Sequence, residues 1–76
     1  MKEEVIKRRM TRQRRLILET LRSLHTHPTA EELHEAVRQQ MPRISLGTVY
    51  RNLDVLCRSG LVLKLESAGQ QAHFDG

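Results

Sequence analysis

The chain has 76 residues, one cysteine and a formal net charge of +4. This limits it to one small domain whose core is marginal without partners, and it excludes an intrachain disulfide. No apolar run approaches the roughly 20 residues of a membrane span, and Met1-Lys2-Glu3-Glu4 opens without the apolar segment of a secretory signal, so the expectation is a soluble, cytoplasmic protein with no membrane partner.

The charge is gathered at one end. Residues 1–15 carry Lys2, Lys7, Arg8, Arg9, Arg12, Arg14 and Arg15 against Glu3 and Glu4, a net of +5, whereas residues 16–76 sum to −1. A basic arm beside a near-neutral domain suits a polyanion, nucleic acid ahead of a membrane surface or acidic protein; the alternative is a solubilising basic helix. With one Tyr and one Phe, the chain has no aromatic platform on which single-stranded bases would stack.

Residues 2–9 read as a short, weakly amphipathic helix with Val5 and Ile6 as its branched apolar groups. Thr11 is placed to cap a helix from Arg12 to about Leu24, where Ile17, Leu21 and Leu24 recur at i, i+4 and i+7 with Leu18 beside them. Pro28 interrupts the pattern by pushing His27 toward an extended backbone. Thr29-Ala30-Glu31-Glu32 then forms a capping-box pattern for a helix running to about Gln40 and burying Leu33, Ala36 and Val37. Pro42 closes that helix, and Ser45 caps the next.

The segment after Ser45 is the most informative. At about 100° per residue, Leu46, Val49, Leu53, Leu56 and Cys57 fall on one arc, Thr48, Arg51 and Arg58 lie roughly opposite, and Gly47 and Tyr50 sit at the border. Small, hydrogen-bonding and basic side chains on the first turns suit the major groove of double-stranded DNA, where Arg bonds guanine and Thr meets a thymine methyl; a surface helix with solvated charges is the alternative. Gly60 is placed to end this helix in a left-handed conformation. Residues 61–66 then alternate as a strand with Leu61, Leu63 and Leu65 expected inward, Ser67 to Gln70 turn, and residues 71–75 return with Ala72 and Phe74 on the core side.

Helices followed by a hairpin make a mainly α fold with a small β hairpin, the winged helix-turn-helix. Such folds also dock proteins, a reading that requires Leu46, Tyr50 and Val55 to form one exposed apolar patch. An enzyme is not expected: the one candidate nucleophile, Cys57, lies on the apolar arc, and no motif sets a histidine beside it.

Arg9-Met10-Thr11-Arg12-Gln13-Arg14, His27-Pro28-Thr29-Ala30-Glu31-Glu32-Leu33, Gly47-Thr48-Val49-Tyr50-Arg51-Asn52-Leu53, Ser59-Gly60-Leu61-Val62 and His73-Phe74-Asp75 together resemble the ferric uptake regulator (Fur) family over nearly the whole chain. The resemblance implies the amino-terminal reading head of a metal-dependent bacterial transcription factor, expected to be a repressor. Tyr50 would meet thymine, Arg51 a purine edge or phosphate, and Arg9 an AT-rich minor groove. Arg14 would grip phosphate, and Gly47 and Thr48 would allow close backbone approach.

The resemblance also implies a regulatory metal site to which His27 and Asp75 contribute, an imidazole and a carboxylate suited to Fe²⁺, Mn²⁺ or Zn²⁺. Asp rather than Glu at position 75 leans toward the peroxide-sensing (PerR-like) branch, where bound iron oxidises a histidine ligand. His25, His34 and His73 are not assigned to metal. The chain stops at Gly76, where the family would continue into a dimerisation domain with further histidine ligands and structural zinc. Two ligands are too few for a tight site, so no tightly bound cofactor is expected of this chain alone. The homodimer that reads an AT-rich palindrome is expected of a longer protein.

Overall fold

The structure is a computed structural model that describes residues 10–66 and 69–76. The helix expected over residues 2–9 and the arm residues Lys2, Lys7, Arg8 and Arg9 lie outside the described residues, as do Ser67 and Ala68 of the expected turn. Within the described residues, helices α1 (Arg12–Ser23), α2 (Ala30–Val37) and α3 (Leu46–Arg58) precede strands β1 (Leu63–Leu65) and β2 (His73–Asp75), which form an antiparallel hairpin.

Each helix begins on the cap read from the sequence. Thr11 Oγ1 accepts the Arg14 N–H at 3.0 Å, and Ser45 Oγ accepts the Thr48 N–H at 3.1 Å. At Thr29 the capping box is reciprocal: the Glu32 N–H donates to Thr29 Oγ1 at 3.2 Å, and the Thr29 N–H donates to Glu32 Oε1 at 2.9 Å. The Thr29 cap and the Ser45 cap therefore fix the start of each helix of the helix-turn-helix unit.

The core is built where the helical stripes meet. Ile17 and Leu21 of α1, Leu33 and Val37 of α2, and Val49, Leu53 and Leu56 of α3 are fully buried. Each such side chain contributes about 1.5–3 kcal/mol relative to leaving it in water. Ala36 is only half-buried. Helix α2 stops at Val37 rather than near Gln40, because residues 38–40 continue as turns in which the N–H groups of Gln40 and Met41 both donate to the Val37 carbonyl, at 3.0 and 2.9 Å. Pro42 disfavours a helical Met41, so the last turn does not propagate. His34 Nε2 donates to the Ile44 carbonyl at 2.8 Å, which ties α2 to the segment entering α3.

The helix end at Gly60 sets the wing. Gly60 adopts φ 79°, its N–H donates to the Cys57 carbonyl at 3.1 Å, and the Leu61 N–H donates to the Leu56 carbonyl at 3.0 Å, a Schellman closure. The Val62 N–H also donates to Leu56, at 3.3 Å, and this seats Val62 in the core at 2% exposure. Leu61 is half-buried and packs against the core as expected, but the inward orientation expected for Leu63 and Leu65 is wrong. These two are 64% and 40% exposed. Strand side chains alternate with period two, so seating Val62 in the core turns Leu63 and Leu65 to the opposite face. The register agrees: buried Phe74 lies opposite Lys64, while Leu63 lies opposite Asp75 and Leu65 opposite His73, on the outer face. Ala72 and Phe74 pack toward the core as expected.

Candidate nucleic-acid interface and metal-ligand pair

Helix α3 buries Val49, Leu53 and Leu56 and turns Gly47, Tyr50, Arg51 and Arg58 to solvent, with Thr48 half-exposed. Tyr50 is 49% exposed. Local bonds steady the outer face: Ser45 Oγ donates to Thr48 Oγ1 at 2.9 Å, and Arg51 Nη2 donates to the same oxygen at 3.2 Å. Arg58 is paired with Asp54 at 2.6 Å, whereas Arg51 carries its charge beside a hydroxyl. A side chain added at Gly47 would meet only Ser45 Oγ, at 3.9 Å. Internal packing therefore does not require glycine there, and the bare backbone is accessible from outside.

Arg14 reaches this surface from α1. Its Nε donates to Asn52 Oδ1 at 2.9 Å, and Asn52 Nδ2 in turn donates to the Thr48 carbonyl at 2.9 Å. Asn52 is 5% exposed, so the pair spans the seam between α1 and α3 with both amide functions satisfied. Sequence reasoning missed Asn52. The signal was its place in the stripe Val49, Asn52, Leu53, Leu56, a polar residue at a helical spacing that is otherwise apolar. Arg9 lies outside the described residues.

A hollow of about 440 Å³ separates α3 from the wing, with Tyr50, Arg51, Cys57, Lys64 and Phe74 among its lining residues. Burial pushes the Cys57 thiol above its ordinary pKa, Lys64 opposing and Asp54 adding to the rise. Little thiolate forms at neutral pH, which leaves Cys57 a poor nucleophile.

On the outer face of the wing, His27 Nε2 lies 3.9 Å from Asp75 Oδ1, with the two side chains 58% and 52% exposed. Two donors that bind one first-row ion at about 2.1 Å each cannot be more than about 4.2 Å apart, so this pair is within reach of a single cation. The donor set, one imidazole nitrogen and one carboxylate oxygen, suits Mn²⁺, Fe²⁺ or Zn²⁺. Among the described residues no group of three His, Cys, Asp or Glu side chains gathers to hold a metal.

The sequence profile of the ferric uptake regulator family matches residues 6–76. The chain belongs to that family.

Compared with other members, it is 43% identical over 67 residues to the peroxide-responsive repressor PerR of Staphylococcus aureus (strain USA300), an alignment covering 88% of this chain and 45% of that protein. The chain thus spans about half the length of the curated relatives it matches. Solved structures of Fur-family proteins superpose closely. The peroxide-sensing PerR of Streptococcus pyogenes gives a TM-score of 0.82 at 29% identity, over 95% of this chain and 52% of that one. The Helicobacter pylori ferric uptake regulator, described with three functional metal-binding sites, gives 0.85 at 25% identity, over 96% and 51%. The fold of this Fur-family chain is accordingly the winged helix of those DNA-binding domains. No helix of the described residues is long and apolar enough to cross a membrane.

Proposed function

We propose that this chain is the DNA-reading head of a metal-responsive regulator of the peroxide-sensing branch, a repressor that acts in the cytoplasm on AT-rich palindromic double-stranded DNA. The observation that carries the reading is the outer face of α3, where Tyr50 and Arg51 stand exposed beside the uncovered backbone of Gly47. In the major groove Tyr50 packs on a thymine methyl, Arg51 bonds a purine edge, and Thr48 and Gly47 let the helix approach closely. Arg14, held through Nε by Asn52, contributes a phosphate contact, and Arg9 enters the minor groove. The protein-docking alternative is disfavoured because Leu46, which its apolar patch would need, packs against the core.

His27 and Asp75 supply this half's share of a regulatory metal site, and a dimerisation domain supplies the rest. His27 and Asp75 would hold one face of a divalent cation, which would supply positive charge and fix the reading head relative to the remaining ligands. A palindrome is read by two such heads, so the single head lacks the gain of a tethered second one.

Mobility shifts with this chain on an AT-rich palindrome and on a scrambled duplex test the proposal. The expected result is weak binding with a preference for the palindrome. If about five phosphates are neutralised, log K falls against log salt with a slope of roughly −4 to −5. Equal affinity for both duplexes would overturn it.

A further inference from the structure

We propose that His73 is a positioning residue for the His27–Asp75 pair, a clamp that holds the His27 segment on the wing strand. The inference rests on the metal-site reading above and deepens it. His73 Nδ1 is hydrogen-bonded to the backbone carbonyl of His27. A carbonyl only accepts, so Nδ1 carries the proton of this bond. A backbone bond joins the same two segments. The Phe74 N–H donates to the Pro28 carbonyl at 2.9 Å, and Thr29 forms an antiparallel bridge with His73. His73 and Asp75 stand two residues apart on β2 and so share its outer face. The clamp therefore grips the backbone of one candidate ligand from the strand that carries the other. Pro28 stiffens the gripped segment, because it fixes its own φ and restricts His27.

The test uses His73→Asn, whose amide Nδ2 sits near the ring Nδ1 position and can donate to His27, and His73→Ala, which cannot. Imidazole ¹⁵N shifts of the metal-free chain should show His73 as the Nδ1–H tautomer; the Nε2–H tautomer would overturn the proposal. Titration with Mn²⁺, read as paramagnetic broadening of the His27 and Asp75 amide signals, gives the affinity of the pair. His73→Ala should need about tenfold more Mn²⁺, the low end of the effect of losing an outer-shell partner, and His73→Asn should stay near the parent.

Equal affinity in the Ala variant while the parent binds overturns the clamp and leaves the metal reading standing. A tenfold loss in His73→Asn as well makes His73 a ligand, which also overturns it. No localised broadening in the parent removes the metal reading itself and the positioning role with it. If the Ala spectrum loses its dispersion, His73→Val, a strand-compatible side chain that cannot donate, replaces it with the same tenfold loss expected and parent-like affinity overturning the clamp.

Discussion

On the proposed function, Arg51 and Gly47 divide DNA affinity from stability at the scale of single residues. Arg51 faces solvent with one local bond to Thr48, so Arg51→Ala should leave folding nearly unchanged. On the palindrome it should cost about 1–3 kcal/mol and reduce discrimination, measured by mobility shift on matched and scrambled duplexes. Arg14→Ala should weaken both duplexes alike, and because Arg14 Nε also bonds buried Asn52, it should lower the melting temperature too. Gly47 offers opposite signs in one substitution. A Cβ fits there without crowding, so Gly47→Ala should stabilise the helix by up to about 1 kcal/mol in thermal unfolding while weakening DNA binding. Unchanged DNA affinity would mean that the helix backbone does not approach the duplex closely. The outward set of α3 was legible from helical periodicity alone. Asn52 was not read, because its partner Arg14 lies 38 positions away and only packing of α1 on α3 joins them.

The caps hold the elements in place, and the Gly60 closure matters most because it aims the wing. Gly60→Ala puts a Cβ into a left-handed conformation at φ 79°, at a cost of roughly 1–2 kcal/mol. The expected outcome is a lower chemical denaturation midpoint with the slope unchanged. Thr29→Ala removes half of the reciprocal box and should cost about 1 kcal/mol by the same measurement. Both positions were readable in the sequence, since local backbone chemistry demands a hydroxyl at one and freedom of φ at the other. The wing's facing was not. Its apolar alternation Leu61, Leu63, Leu65 is consistent with either face, and the choice is made by two bonds to the Leu56 carbonyl that seat Val62.

At the scale of the whole molecule, the Fur-family chain combines the exposed face of α3, proposed as the reading surface, with the His27–Asp75 pair, proposed as part of a metal site. Two half-exposed donors bind a divalent ion weakly, so calorimetry with Mn²⁺, Co²⁺ and Zn²⁺ should detect no specific submicromolar site in the 76-residue chain. Tight binding by this chain would require a further donor beyond His27 and Asp75.

By itself the sequence determined what depends on neighbours along the chain. Helix starts follow from side chains that satisfy free N–H groups, the left-handed stop follows from glycine, and the two faces of α3 follow from its 3.6-residue period. The family signature rests on the same local motifs. Tertiary structure alone decided which residues from distant segments meet: Arg14 with Asn52, His27 with Asp75, and His73 with the His27 carbonyl. It also decided the parity of the wing, because a two-residue repeat has no preferred face until a neighbouring core fixes one of its members.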